Sequence, residues 1–178
     1  MSRIATPAVE AATGATAELF GQIRKAVGKV PNAYAALGAL NPAGLQAILA
    51  ADAALAASSL SKQDIETVKL AVSQAGGCDY CVAAHSLIGK MAGLKPDALR
   101  QIRAGGPTGE ARRDALVHFV RQIVEGSGTL PEAEVAAIKG AGYSDQQLAD
   151  ISLAIALITY TNVFNRINDT DVDFPAVD

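Results

Sequence analysis

Apolar residues recur every three or four positions along most of the chain, the spacing that places side chains on one face of an α-helix. One such stripe consists of Ile65, Val68, Val72 and Ala75. Glycines, prolines and capping residues separate the apolar segments. The pattern predicts nine helices, over residues 13–27, 32–40, 42–57, 61–75, 78–92, 96–103, 110–125, 131–139 and 144–167. Neither the alternation of a strand nor a βαβ repeat is present in the sequence, so we predict an all-α fold.

The length and the composition of the chain agree with a helical bundle. The 178 residues fit a single domain, 1–178, with residues 1–12 as a loose N-terminal arm and residues 169–178 as an acidic C-terminal tail. Hydrophobic residues make up 50% of the chain, but only 4% of residues are aromatic and none is Trp. A core that is rich in alanine and leucine and poor in large rings suits close-packed helices better than a sheet.

Charge and hydropathy exclude several classes of partner. The net charge of −3 gives no electrostatic footprint for nucleic acid or for an anionic membrane surface. The most apolar segment, residues 151–160, is too short for a membrane span of about 20 residues, so we expect a helix buried in the core or in a subunit interface. The N-terminus lacks the apolar run of a secretory signal. We therefore expect a cytoplasmic protein whose two cysteines are reduced and chemically active.

The residues with the clearest chemistry lie in segment 76–85, which reads GGCDYCVAAH. Cys78 and Cys81 are three residues apart, which on a helix separates their Cα atoms by about 5 Å, within the range of a disulfide bond. His85 follows Cys81 by four residues, so the imidazole lies on the same helix face. Both cysteines of the chain and one of its two histidines therefore share one stripe.

Glu66 is the candidate fourth member of this group. If the helix that begins at Ser61 folds back at Gly76-Gly77, it lies antiparallel to the cysteine helix. Glu66 then lies about 16 Å from the turn along its helix and His85 about 12 Å along the other, at 1.5 Å per residue. The two side chains would be within about one helical turn of each other, and Glu66 could line a cleft beside the packed seam.

This group predicts thiol redox chemistry. A thiolate attacks a peroxide or a disulfide, a neighbouring imidazole can take the thiol proton, and a carboxylate can orient that imidazole. A second thiol then traps the sulfenic acid as a disulfide. The helix N-terminus favours Cys78 as the attacking thiol, whereas the histidine four residues on favours Cys81. We favour Cys81, because a positioned base performs a specific proton transfer, and we expect Cys78 to be the resolving thiol.

The frame of Glu66, Cys78, Cys81 and His85, E-x11-C-x2-C-x3-H, resembles the signature of the alkyl hydroperoxidase D-like (AhpD-like), or carboxymuconolactone decarboxylase, superfamily. The similarity extends from residue 28 onward and includes residues 162–166, NVFNR, and 173–175, DFP. It implies an all-helical bundle, oligomers that are often trimers or hexamers, and neither a metal nor an organic cofactor. It also implies a peroxidase in which Cys81 is peroxidatic, Cys78 is resolving, and Glu66 and His85 form a proton relay.

The chain departs from this superfamily at one position of the motif. Its best-known hydroperoxidases have a histidine between the two cysteines, where this chain has Tyr80, and this weakens the transfer of their full relay and of their lipoyl-domain reductant. The decarboxylase branch lacks the cysteine pair, so both thiols argue against decarboxylation. Whether Tyr80 takes part in the relay, and what Asn162 and Asn165 do, stays open at the level of sequence.

We therefore expect a thiol peroxidase without a cofactor that reduces an alkyl hydroperoxide or hydrogen peroxide. A dithiol or protein reductant, of which a lipoyl-type donor is one kind, would regenerate the cysteine pair. Two alternatives stay open: a disulfide reductase or redox relay that uses the same cysteines, and a non-catalytic, redox-sensing helical homo-oligomer. A zinc site is disfavoured, because two thiols and one imidazole supply only three ligands.

Overall fold

The computed structural model describes residues 2–177, and over this part of the chain the regular structure is entirely helical. A short 3-10 helix, Val9–Ala11, precedes the α-helices. These are α1 Gly14–Val27, α2 Asn32–Leu40, α3 Pro42–Ala56, α4 Lys62–Ala75, α5 Asp79–Met91, α6 Pro96–Ala104, α7 Ala111–Glu125, α8 Glu132–Gly140 and α9 Asp145–Asn168. The all-α prediction is confirmed.

Local capping chemistry explains where the helices begin. The Asn41 side chain accepts a hydrogen bond from the Gly44 N–H, and Pro42 occupies the first turn of α3. The Ser61 side chain caps α4 in the same way through the Asp64 N–H. At the start of α9, Ser144 and Gln147 form a reciprocal capping box. These contacts satisfy N–H groups that a helix leaves without partners in its first turn.

Helix α4 occupies the centre of the main core. It packs against α5, α7 and α9, with further contacts to α6. Thr67, Val68, Leu70 and Ala71 are fully buried on α4, and they are spread over more than one side of the helix. Because α4 is covered on several sides, residues on different faces of it contact different helices, and Glu66 faces α5.

A smaller apolar cluster joins α1, α2 and α3. Phe20 of α1 packs there with Leu37 of α2 and Leu45 of α3. The close approach of α1 to α2 depends on Gly38, since a Cβ at this position would lie 2.8 Å from Cζ of Phe20. This cluster brings the end of α1 and the start of α2 next to the cysteine helix.

The first residues are held by the C-terminal end of α9. The Arg3 N–H donates to the carbonyl oxygen of Asn168 over 2.6 Å, and the Ile4 N–H donates to Oδ1 of the same residue over 2.9 Å. Residues 3 and 4 of the predicted N-terminal arm are therefore bonded to α9, through acceptors on Asn168 that the sequence pattern did not reveal. Met1 of this arm and Asp178 of the predicted tail lie outside the described residues.

Helix α9 is more continuously apolar than we expected from the sequence. An 18-residue window within this 24-residue helix has a mean hydropathy of 1.3, and among the described helices α9 meets the length and composition of a membrane span. One face packs into the main core through Ile151, Ala154 and Ile158. Tyr160, Val163 and Ile167 of the same helix are exposed. The isolated polar residues within this segment do not lower its hydropathy as far as we expected.

Candidate functional site

The turn between α4 and α5 sets the register of the site. Gly77 adopts a φ of 63°, which a glycine tolerates without strain, and the Cys78 N–H reaches back to the carbonyl oxygen of Ser73 over 3.0 Å. The two helices therefore run back along each other. As predicted, Glu66 and His85 come together, with Oε2 of Glu66 2.8 Å from Nδ1 of His85. The side chains of this pair are only 9% and 13% exposed.

The contact with Glu66 fixes the orientation of the imidazole. With Nδ1–H donating to the carboxylate, the neutral ring keeps Nε2 as its other, acceptor nitrogen. His85 also lines a cavity, described below, so this nitrogen belongs to a group that a bound molecule can reach. The pair can therefore hold a proton at the cavity wall and stabilise the imidazolium form by an adjacent carboxylate.

Cys78 is the N-cap of α5. Its sulfur accepts a hydrogen bond from the Cys81 N–H over 3.4 Å, the position at which a serine or aspartate oxygen commonly caps a helix. Both cysteines are free thiols in this structure and both are buried. The disulfide expected for the oxidised protein is therefore not formed here, while the two side chains are close enough for a hydrogen bond between the thiols.

The two thiols share a proton unequally. The hydrogen bond that Cys81 donates to Cys78 lowers the pKa of Cys78, and the backbone N–H of Cys81 acts in the same direction against the effect of burial. The same thiol–thiol hydrogen bond is the largest of the effects that raise the pKa of Cys81 above its usual range. Burial and the charge on Cys78 raise this pKa further. In the singly deprotonated pair, these contacts therefore favour the negative charge on Cys78 over Cys81.

This electrostatic order corrects one part of the sequence reasoning. We expected the histidine four residues on to favour deprotonation of Cys81 directly. The partners of the Cys81 sulfur are instead Cys78, Thr161 and Asn165, whose Nδ2 lies 3.3 Å away, and no direct bond from His85 to this sulfur is found in residues 2–177. Of these partners, Asn165 and Thr161 lower the pKa of Cys81.

A cavity of about 620 Å³ opens beside Cys81. Its walls are mainly apolar and come from α1, α2, α5, α9 and the segment after α9. The residues that line it next to the reactive group are Tyr34, Cys81, His85, Thr161 and Asn165. Cys78 is not part of this lining, so it lies behind Cys81 as seen from the cavity. Although Cys81 is only 3% exposed, it lines a space large enough for a small organic molecule.

Tyr80, the residue between the cysteines, is engaged in structural contacts. Its hydroxyl accepts a hydrogen bond from the Ala33 N–H over 3.1 Å and donates one to Oδ1 of Asp173 over 2.8 Å. Burial, followed by the hydrogen bond and the charge of Asp173, raises the pKa of Tyr80 despite the opposing Ala33 contact. The hydroxyl therefore stays protonated, and its two bonds connect α2 to the chain terminus.

Three contributions to the site were not assigned from the sequence. The role of Asn165 stays open in the sequence, because its contact with the sulfur depends on how α9 docks. Thr161, four residues earlier on α9, adds a second contact to the same sulfur. Tyr34 lines the cavity, and burial, followed by the charges of Asp52, Cys81 and Glu66, raises its pKa, so its hydroxyl is a permanent donor. No pattern in the sequence singles out Tyr34.

No group of three or more histidine, cysteine or acidic side chains in residues 2–177 is arranged to hold a metal ion. The donors nearest to one another are the two thiols and the Glu66–His85 pair. The arrangement is suited to proton and sulfur chemistry at Cys81.

Comparisons with solved structures identify the fold. A peroxidase-related protein from Ralstonia eutropha JMP134, described as an alkylhydroperoxidase AhpD core, superposes with a TM-score of 0.84 at 24% identity, over 97% of this chain and 92% of its own. A peroxidase-related protein from Silicibacter sp. TM1040 gives a TM-score of 0.82 at 22% identity, over 96% and 91% of the two chains. The debrominase Bmp8, solved with 2,3,4-tribromopyrrole, gives 0.80 at 17% identity, over 97% and 94%.

Sequence comparisons are narrower. No curated protein sequence matches the chain significantly. The model of the carboxymuconolactone decarboxylase family matches residues 42–107, a segment that holds Glu66, both cysteines and His85. The chain therefore has the AhpD-like helical fold, and its residues 42–107 match the carboxymuconolactone decarboxylase family.

Proposed function

We propose that this protein is a thiol-dependent peroxidase in which Cys81 attacks the hydroperoxide. The observation that carries the proposal is the order of the two sulfurs: Cys81 borders the cavity, and Cys78 lies in contact directly behind it. An attacking thiol must reach the substrate, whereas a resolving thiol must only reach the first sulfur. The names of the peroxidase-related neighbours support the same activity.

Cys81 becomes a thiolate when the proton that the two thiols share moves to Cys78. In the singly deprotonated pair, the Cys81 proton moves to the Cys78 sulfur, which already accepts its hydrogen bond. The new Cys81 thiolate is stabilised by the Asn165 amide at 3.3 Å. Cys78 is thus the immediate proton acceptor, and the histidine is free for a different step.

The oxidation then proceeds in two balanced steps. The Cys81 thiolate attacks the terminal oxygen of ROOH, the O–O bond breaks, and Cys81–SOH and the alkoxide RO⁻ form. The imidazolium of His85, paired with Glu66, donates its Nε2 proton to RO⁻, which leaves as ROH, and the ring regains a proton from solvent. Cys78–SH next attacks the sulfenic sulfur, which releases water and forms the Cys78–Cys81 disulfide. An external dithiol reduces this disulfide and becomes a disulfide itself.

The test follows consumption of cumene hydroperoxide and of hydrogen peroxide with dithiothreitol or dihydrolipoamide as donor. We expect turnover by the native chain and none by Cys81→Ser. Cys78→Ser keeps a capping hydroxyl, and we expect it to perform one oxidation and to accumulate Cys81–SOH, which dimedone traps for mass spectrometry. Sulfenic acid at position 78 in Cys81→Ser, with none at position 81 in Cys78→Ser, would reverse the assignment.

The same experiment separates the alternatives. Fast reduction of a small disulfide without consumption of peroxide would identify a disulfide reductase that uses the same cysteines. Thiols that oxidise once and are not returned by any dithiol would support a redox-sensing assembly. Bmp8 shows that a protein of this fold can act on a brominated pyrrole, so release of bromide from such a compound by the reduced protein would overturn the assignment to peroxide.

A further inference from the structure

The segment that follows α9 forms one wall of the Cys81 cavity. Residues 170–175, here called the C-terminal strap, leave the helix at Asp169, which has a left-handed backbone. Asp173, Phe174 and Pro175 of the strap line the same cavity as Cys81. The sequence comparisons assign no role to these residues, because the family match ends at residue 107.

Several donors hold the Asp173 carboxylate in place. Nζ of Lys29, in the loop between α1 and α2, lies 2.7 Å from its Oδ2, and the Tyr80 hydroxyl donates to its Oδ1 over 2.8 Å. The Asn32 N–H adds a longer bond of 3.4 Å to Oδ2, and the Asn32 side chain donates to the Asp171 carbonyl oxygen. The Asp173 side chain is 21% exposed, so these charge-assisted bonds are partly shielded from solvent.

This fixation positions the neighbouring aromatic ring. The Phe174 ring packs edge-on against Tyr80, with centroids 5.4 Å apart, and lies under the Lys29 ammonium at 4.8 Å. Both partners are the residues that hold Asp173. The same contacts therefore anchor the strap and turn an apolar ring towards the space in front of Cys81.

The strap also connects to the reacting sulfur. Oδ1 of Asn165 accepts a hydrogen bond from the Thr170 hydroxyl over 2.8 Å, while Nδ2 of the same side chain donates to Cys81. The start of the strap and the Cys81 sulfur are thus positioned by one amide group. A displaced strap would alter the shape of the cavity at the point of reaction.

From these contacts we infer that Phe174 determines specificity for substrates that carry a bulky apolar group, and that Asp173 acts as a positioning residue that holds Phe174 against the cavity. The inference rests on the proposed function insofar as the substrate is a hydroperoxide. Phe174 would give the Cys81 cavity a preference for apolar groups, and this preference can be measured with thiol reagents whether or not the protein reduces peroxides.

The experiment compares two reagents that place different groups on Cys81. In a Cys78→Ser background, Cys81 is the single thiol of the chain, and its reaction with benzyl and with methyl methanethiosulfonate follows the same chemistry. We expect Phe174→Ala to lower the benzyl-to-methyl ratio of second-order rate constants about five- to tenfold, because the wall that contacts the benzyl group is lost. Phe174→Leu keeps part of the apolar contact, and we expect a fall of about twofold.

Asp173→Ala tests the positioning role. It leaves the ring in the sequence but removes its anchor, and we expect a loss in the ratio similar to that of Phe174→Ala. The double variant should be no worse than Phe174→Ala alone, since Asp173 acts through the ring. Tyr160→Ala, which removes an exposed ring outside the cavity, is the control and should leave the ratio unchanged.

Each outcome decides one part of the inference. The role of Phe174 is overturned if the Phe174→Ala variant has a native circular dichroism spectrum and keeps or raises the benzyl-to-methyl ratio. Additive losses in the double variant overturn the role of Asp173. If peroxide is reduced, Phe174→Ala should raise KM for cumene hydroperoxide with kcat retained and leave kcat/KM for hydrogen peroxide unchanged. Failure of peroxide turnover in the native chain would leave the reagent ratios valid and would reject only the proposed function.

Discussion

The amide of Asn165 gives the most direct test of how this site tunes its cysteine. Its Nδ2 donates to the Cys81 sulfur over 3.3 Å, and this contact lowers the pKa of Cys81 against the larger effects of Cys78 and burial. Asn165→Leu replaces the amide with an apolar group of similar size. In a Cys78→Ser background, where the thiol–thiol coupling is absent, we expect the variant to have a higher Cys81 pKa and slower alkylation.

The magnitude follows from two opposing effects. A hydrogen bond to a charged group contributes about 1.5 to 3 kcal/mol, and sulfur is a weak acceptor, so we take the lower end, about one pKa unit. One unit reduces the Cys81 thiolate about tenfold at a pH below the pKa. The more basic thiolate is more nucleophilic, with a Brønsted coefficient of about 0.4 to 0.5, which recovers roughly threefold. The expected net decrease in the alkylation rate is about three- to fourfold.

The assay measures the iodoacetamide rate of Cys81 against pH, together with the far-ultraviolet absorbance of the thiolate. Asn162→Leu is the matched control, because Asn162 is also buried on α9. Its Oδ1 accepts a hydrogen bond from the Ser73 hydroxyl over 3.2 Å, and it is not among the hydrogen-bond partners of the Cys81 sulfur. Each variant should lose about 1 to 3 kcal/mol of stability. An unchanged Cys81 pKa in Asn165→Leu, or an equal shift in Asn162→Leu, would refute the reasoning.

Two predictions concern stability. Burial raises the pKa of Asp64, but hydrogen bonds from Ser61, Arg112 and Tyr143 outweigh this effect and lower the pKa below 3.8. The ionised carboxylate therefore stabilises the fold at neutral pH. This contribution to stability is lost as the pH falls through the lowered pKa. In urea unfolding at neutral pH, Asp64→Asn should lower the free energy of unfolding by about 1.5 to 3 kcal/mol. The difference from the native chain should become smaller below about pH 4. A difference that does not depend on pH would contradict this reasoning. Gly38→Ala places a Cβ in steric conflict with the Phe20 ring, 2.8 Å from its Cζ, and should destabilise by about 1 to 3 kcal/mol before a helix-propensity gain of up to about 1 kcal/mol. Gly21→Ala meets no atom within 4 Å and should stabilise the protein. A gain in melting temperature from both variants would remove the steric argument.

The helices could be predicted from the sequence because their ends are determined locally. The bounds of α2 match the prediction, and α9 differs by one residue at each end, since Ser144 caps it within its own first turn. The meeting of Glu66 with His85 could also be predicted, because only a tight glycine turn separates two antiparallel helices. In that case, the rise per residue along each helix is sufficient to place one side chain opposite the other.

The environment of the sulfur depends on contacts that no local pattern encodes. Asn165 is 84 residues from Cys81, and Asp173 is 93 residues from Tyr80, so both contacts require the docking of α9 and of the strap to be known. The spacing of Cys81 and His85 on one helix suggested a direct base, but a shared helix face fixes only proximity. The actual partners of the sulfur come from α9 and from Cys78, and they decide which thiol holds the proton. The order in which the two thiols lose their protons therefore depends on tertiary hydrogen bonds, and the spacing of Cys81 and His85 along one helix does not determine it.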